Sequence, residues 1–227
     1  MIRRDYILRM IEEFIQVLAR INALKKGQLW QEADGAIDAE FKRLVGAGAQ
    51  AVSQMSGTEL LAKIIRGEPT QVVHDKARLL TTLLNQAGAV ATAQNRLEEG
   101  RACYLKGLNL LLETMANSDT SDFPDFVPTV EAFVLALQGA PLPLSTQARL
   151  MQHYEQAGSF GKAEDALFAM LEAGPNEPKF LDFGIAFYQR LARQSDSNLS
   201  AGNLSRAEVN AGLADLERRR TALVPPS

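Results

Sequence analysis

Apolar residues recur along most of this chain at spacings of three and four, which is the period of a helix with one buried face. The first segment carries such a stripe at Ile7, Ile11, Phe14, Leu18 and Ile21, and Leu8 and Ile15 widen it. Charged and amide side chains occupy the opposite face. The pattern predicts an amphipathic helix that buries the apolar stripe.

A second apolar stripe begins at Trp30 and runs to Leu44, after an interruption at Gly27. Two helices joined by so short a connection fold back on each other. We therefore expect a helical hairpin. Gly46 and Gly48 weaken the second helix, since an interior glycine costs about 1 kcal/mol relative to alanine, so the helix should end or bend there.

The rest of the chain repeats this alternation of apolar stripes and breaks. Ser56 is a plausible N-cap for a short helix that ends before Pro69. Further helices are predicted over 70–94, 97–115, 129–138, 144–157, 160–173 and 180–191, and a last one follows a flexible insertion at 193–202. No segment alternates with a period of two between hairpin turns, so strands are not expected. The predicted fold class is all-α.

Residues 144–175 resemble the tetratricopeptide repeat, a helical hairpin of about 34 residues with small and large side chains at fixed places. The matching positions are Leu150, Met151, Tyr154, Ala157, Gly158, Phe160, Ala163, Leu167, Met170 and Pro175. A weaker match covers 81–112, and degenerate second helices lie near Trp30 and Arg206. The resemblance implies stacked antiparallel hairpins in a right-handed superhelix, with an irregular helical bundle as the alternative.

The chain is expected to form a single helical-repeat domain over residues 1–227. Its clearest loop, at 117–128, is rich in serine, aspartate and proline. We expect a soft boundary between two helical halves in this loop.

Three stretches also resemble an uncharacterised bacterial family, a domain of unknown function. They are MIRRDYILRMIE at the start, GEPT at 67–70 and RACYLKGL at 101–108. The resemblance covers most of the chain and implies a helical, repeat-like cytosolic protein. It brings no activity, so it transfers no functional residues.

The amino-acid composition limits the classes of partner that can be expected. The formal net charge of −3, from 24 basic and 27 acidic residues, gives no field that would attract nucleic acid or an anionic membrane. No run approaches the roughly 18 apolar residues of a membrane span. Arg3 and Arg4 are similar to a twin-arginine export signal, but Glu12 and Glu13 interrupt the apolar stretch that such a signal needs. With one cysteine, Cys103, a cytoplasmic location is expected.

Candidate chemistry is sparse. His74 and Asp75 are adjacent, but the only other histidine is His153, which leaves too few ligands for a metal site. Cys103 lies among leucines, as a buried cysteine does. Gly46 and Gly48 lack the third glycine and the lysine of a phosphate loop. We expect no metal, no cofactor and no catalytic site.

The function predicted is a non-catalytic scaffold that binds an unidentified protein or peptide in a concave groove. Repeat positions assign the groove to Asn85, Ala89 and Thr92, to Arg149, Gln152, His153 and Glu155 or Gln156, and to Tyr188 and Gln189. Two alternatives remain open. The stripe from Ile7 to Ile21 could pair with its copy in a homodimer, although burial against Trp30 and Phe41 is the simpler interpretation, or the chain could be a hydrolase without a recognisable motif.

Overall fold

The computed structural model describes residues 2–65, 69–116 and 123–223, but not the side chains of residues 2–5, 70 and 71. This part of the chain forms twelve α-helices and no strands. The predicted all-α class is confirmed. In chain order the helices are α1 (Ile2–Lys26), α2 (Trp30–Val45), α3 (Ala49–Gln54), α4 (Gly57–Ile65), α5 (Thr70–Ala93), α6 (Leu97–Ala116), α7 (Val130–Ala136), α8 (Leu144–Gln156), α9 (Phe160–Ala173), α10 (Pro178–Leu191), α11 (Asp196–Ala201) and α12 (Arg206–Ala222).

The helices fall into two compact units, Met1–Pro141 and Leu142–Ser227. In the first unit α1 packs on α2, and the long helices α5 and α6 pack on each other. The core between them contains the fully buried side chains of Phe14, Ile21, Ile37, Phe41, Leu80, Leu83 and Leu84. These are residues of the predicted stripes.

The apolar stripe of α1 is only partly buried. Phe14 and Ile21 are in the core, whereas Leu8 is 51% exposed and Ile15 is 46% exposed. These two side chains lie two helical turns apart, on the side of α1 that turns away from α2 and α5. The expectation that they widen the buried face is therefore wrong.

Of the predicted 117–128 loop, residues 117–122 lie outside the described part of the chain. Residues 123–128 pack against α1 and α5 of the same unit. Thr82 Oγ1 donates to the Phe126 carbonyl oxygen at 3.3 Å, and the Arg78 guanidinium lies 4.8 Å from the centre of the Phe123 ring. The Phe126 ring lies 5.9 Å from that of Phe14. The compact units divide only at Pro141, one helix beyond the expected boundary.

In the second unit α8 packs on α9, and α10 packs on α12 and α9. The predicted flexible insertion at 193–202 contains α11 instead. Ser195 Oγ accepts a hydrogen bond from the Asn198 backbone N–H at 3.2 Å, and Leu199 is fully buried. A helix cap and one buried leucine thus order a stretch whose polar composition suggested a loop.

Candidate functional site

A cleft between α8 and α10 opens on the surface of the second unit. Its volume is about 660 Å³, and it is lined by Gln152, Glu155, Gln156, Gly158, Phe160, Phe183, Arg190 and Gln194. Phe160 is buried and Phe183 is half-buried, so the lining combines two aromatic rings with amide and charged side chains. We call it the α8–α10 cleft.

An ion pair connects the two walls of this cleft. Arg190 Nε donates to Glu155 Oε1 at 2.6 Å, and Arg190 Nη2 donates to Glu155 Oε2 at 2.8 Å. This bidentate geometry fixes both side chains, and the hydrogen bonds that Arg190 donates to Glu155 raise the pKa of Arg190. The arginine remains 47% exposed while the carboxylate is only 17% exposed, so the guanidinium is the part that an incoming molecule would meet.

Three glutamines complete the cleft. Gln152 and Gln156 are exposed on α8, and Gln194 is half-buried just after α10. Each amide can donate and accept hydrogen bonds. The backbone of a bound peptide presents the same two kinds of group at every residue.

The structure brings only part of the predicted groove together. Gln152 lines the α8–α10 cleft together with Glu155 and Gln156, whereas Gln189 is exposed on α10 outside its lining. Arg149 is exposed on α8, one turn before Gln152. His153 is half-buried, and its ring lies 5.4 Å from that of Tyr154. The remaining predicted groove residues lie on α5 in the first unit, namely Asn85, Ala89 and Thr92.

Tyr188 is a correction to the predicted groove, because its side chain is fully buried. Its hydroxyl donates to Glu164 Oε1 at 2.7 Å, and a Cβ added at Gly212 would collide with its ring. Burial, followed by the Glu164 carboxylate, raises the pKa of Tyr188. The tyrosine therefore stabilises the packing of α10 against α9 and α12, and it cannot contact a partner.

The groove predicted from the sequence did not include three residues that line the α8–α10 cleft, namely Phe183, Arg190 and Gln194. They recur at spacings of seven and four along the α10 region, which places them on one side of a helix. This spacing is the feature of the sequence that could have assigned the three residues to one surface. The signal is weak because Phe183 lies among other apolar residues of α10, which the sequence alone does not sort into buried and accessible ones.

The first unit has a separate cleft between α2, α3, α5 and α6, which we call the α2–α6 cleft. Its volume is about 420 Å³. The lining has an apolar part, formed by Ile37, Phe41, Ala49, Val52, Leu84 and Ala87, and a polar part, formed by Asp34, Gly35, Asp38, Ser53, Arg96, Glu99, Cys103 and Lys106.

Cys103 faces this cleft but is poorly suited to nucleophilic chemistry. The residue is buried, and burial raises the pKa of its thiol to about 11. At neutral pH the thiol is therefore protonated, whereas the thiolate is the reactive form.

The described residues include neither a cluster of potential metal ligands nor a helix that could span a membrane. No group of three or more His, Cys, Asp or Glu side chains in that part of the chain is arranged to hold a metal ion. Among the helices that the structure describes, none combines the length and the apolar character needed to cross a membrane.

Comparison with known proteins gives one match. The model of a family described as "Family of unknown function (DUF6483)" matches residues 1–221. No curated protein and no solved structure matches the chain.

Proposed function

The chain therefore belongs to a family of unknown function, and we propose that it is a non-catalytic scaffold that binds an extended peptide segment of another protein in the α8–α10 cleft. The observation that supports this most directly is the lining itself. Amides, a neutralised ion pair and two phenylalanines are suited to a peptide main chain with occasional apolar side chains.

The dimensions of the cleft agree with such an occupant. Helix α8 has 13 residues and is therefore about 20 Å long at 1.5 Å per residue. An extended peptide rises about 3.3 Å per residue, so about six peptide residues would follow the wall. Gln152 and Gln156 lie one helical turn apart and would contact successive parts of the peptide backbone.

The charges favour an uncharged main chain over a strongly charged ligand. Glu155 and Arg190 neutralise each other, while the exposed edge of the guanidinium can still donate to a carbonyl oxygen. A net charge of −3 does not favour nucleic acid as the partner. We also propose a cytoplasmic location, because a single cysteine suits a reducing compartment.

The proposal predicts that individual glutamines in the cleft contribute to peptide affinity. Peptides would be selected on the wild-type protein from a phage-displayed library of random linear sequences, and their Kd measured by fluorescence anisotropy. Gln152→Ala and Gln194→Ala should each raise Kd roughly 2- to 10-fold, since one hydrogen bond contributes about 0.5–1.5 kcal/mol.

Gln189→Ala is the matched control, because Gln189 is an exposed glutamine on α10 that does not line the cleft. Its Kd should equal that of the wild type. Failure to select any saturable peptide would contradict the proposal, as would an equal loss of affinity in the Gln189 and Gln152 variants.

A second candidate function, self-association, is favoured by the exposed apolar side chains of α1. Leu8 and Ile15 are about half exposed on the same side of the helix, and a copy of α1 could cover both of them. In this proposal the chain is a homodimeric assembly element, and the dimer contact includes Ile15.

This second candidate predicts that Ile15→Glu converts a dimer to a monomer in light scattering coupled to size-exclusion chromatography, because a buried unpaired carboxylate is costly. Gln16→Glu adds the same charge at the neighbouring exposed position and should leave the dimer intact. A wild-type protein that is monomeric at every concentration tested would rule this candidate out.

A further inference from the structure

Gln194 lines the α8–α10 cleft and is held there by two residues that lie outside its lining, Asn198 and Arg206. The backbone carbonyl oxygen of Gln194 accepts a hydrogen bond from Arg206 Nη2. Its side-chain Oε1 accepts another from Asn198 Nδ2 at 3.3 Å. The backbone and the amide group of this glutamine are therefore both positioned before a ligand enters the cleft.

Arg206 fixes the turn that carries Gln194. Its Nη1 atom also donates to the Ala192 carbonyl oxygen, at 2.7 Å. Within the turn the Gln194 backbone N–H donates to the Leu191 carbonyl oxygen at 2.9 Å. This bond spans three residues, so the end of α10 continues to Gln194 as a tighter, 3₁₀-like turn. Gln194 therefore follows Arg190 on the same side, about one turn further along.

Asn198 determines which part of the Gln194 amide is left for a ligand. The hydrogen bond from Asn198 engages the amide oxygen, while neither amide N–H has an acceptor among the described residues. Asn198 belongs to α11, which is capped by the Ser195 hydroxyl and anchored by the buried Leu199 side chain. The short helix thus orients the amide, and the group that Gln194 has available is a hydrogen-bond donor.

Arg190 supplies a second donor on the same wall of the cleft. Its Nε and one N–H of Nη2 are bound to Glu155, and a guanidinium has no acceptor atom. The guanidinium is partly exposed, so the remaining N–H groups of Nη1 and Nη2 are accessible. We call Arg190 and Gln194 the α10 wall. This wall offers donors to a ligand.

The separation of the two donors matches a repeat of the peptide main chain. Four residues of a helix that tightens toward 3₁₀ geometry advance about 6–8 Å. In an extended peptide the carbonyl groups of alternate residues point to the same side and lie about 7 Å apart. The two oxygens of a single carboxylate are attached to one carbon and are too close together to reach both donors.

We propose that the α10 wall binds two main-chain carbonyl oxygens of the peptide, from residues two positions apart, and that Asn198 is the positioning residue for this contact. Arg190 donates to one carbonyl oxygen, and Gln194 Nε2 donates to the other. The inference rests on the peptide-binding function proposed above and adds the part of the peptide that is recognised. Every residue has a main-chain carbonyl, so this wall sets the register of the peptide and does not select its side chains.

Asn198→Asp tests the positioning role with almost no change in size. A carboxylate at this position has no N–H, so the Gln194 amide should rotate to donate to it and turn its oxygen toward the cleft. For peptides selected on the wild type, Kd should rise roughly 2- to 10-fold, as for Gln194→Ala. Aspartate is favourable in the first turn of a helix, so α11 should be retained.

Two controls separate this effect from a general loss of structure or a change of charge. Combined with Gln194→Ala, Asn198→Asp should cause no further loss of affinity, because the group through which it acts is absent. Asn210→Asp makes the same change at an exposed asparagine of α12 that does not line the cleft. Its Kd should equal that of the wild type.

Thioamide peptides test the carbonyl contacts. Sulfur is a weaker hydrogen-bond acceptor than oxygen, so replacing a recognised carbonyl oxygen by sulfur should raise Kd. A thioamide scan along the tightest selected peptide should show two sensitive positions, two residues apart. One of the two effects should disappear on Gln194→Ala. Sensitivity at adjacent positions, or at none, would overturn the carbonyl contacts.

The side-chain amide signals of Gln194 in proton–nitrogen correlation spectra test the positioning without a peptide. Gln194→Ala identifies these signals, which Asn198→Asp should shift and Asn210→Asp should not. Unshifted signals in Asn198→Asp, or additive losses of affinity for Asn198→Asp and Gln194→Ala, would reject the role of Asn198 alone. Failure to select any peptide would instead reject the proposed function, and with it the carbonyl contacts.

Discussion

Tyr188→Ala is expected to destabilise the second unit by about 3–5 kcal/mol, the usual cost of truncating a large buried aromatic side chain. Tyr188 is fully buried between α10 and its neighbours α9 and α12. The truncation removes its ring contacts and leaves Glu164, whose pKa burial already raises, without the hydroxyl that donates to it. Hydrogen exchange followed by mass spectrometry should show faster exchange throughout α9, α10 and α12.

Tyr188→Phe is the control for this prediction. It keeps the ring and removes only the hydrogen bond to Glu164, so its effect should be about 1 kcal/mol. If Tyr188→Ala left exchange in α10 and α12 unchanged, the burial of this side chain and its exclusion from the binding surface would both be wrong.

Phe133→Ala is expected to destabilise the first unit by a similar amount, about 3–5 kcal/mol. The Phe133 side chain is fully buried and packs over Gly107 of α6, where the absence of a Cβ lets the ring approach the helix backbone. Trp30 is the single tryptophan of the chain and packs against the core of the first unit. Its fluorescence in a urea titration would report the loss of stability.

Leu135→Ala, on the same short helix, is the control. Leu135 is 66% exposed, so its truncation should change stability by no more than about 0.5 kcal/mol. Equal effects of the two substitutions would show that α7 is not anchored by Phe133. They would also contradict the assignment of α7 to the first compact unit.

Helix positions were largely predictable because they depend on local features of the chain. Helix α9 has the predicted bounds of 160 and 173, and α5 ends within one residue of the predicted position. Ser56 accepts a hydrogen bond from the Glu59 backbone N–H at 3.2 Å, as expected of an N-cap. Both residues of this cap are close in sequence, so no tertiary contact is needed to recognise it.

The residues of the candidate site were less predictable because they depend on which neighbour covers each helix face. Tyr188 and Phe183 are both aromatic residues among other apolar residues of α10, so the sequence does not show which of them is buried. Packing against α9 and α12 buries the tyrosine, and the α8–α10 cleft leaves Phe183 half-buried. For the same reason the predicted groove included Tyr188 and omitted Arg190.

The sequence by itself determined the all-α class, most helix bounds and the family, because periodicity, caps, breakers and similarity are properties of the linear chain. Only the tertiary structure decided that Leu8 and Ile15 are exposed, that Arg190 pairs with Glu155 across a cleft, and that Gly35 and Lys106 line the same cavity. Gly35 and Lys106 belong to different helices, so their proximity results from the packing of α2, α3, α5 and α6. Packing depends on the fit of whole helix surfaces, and no local pattern in the sequence records it.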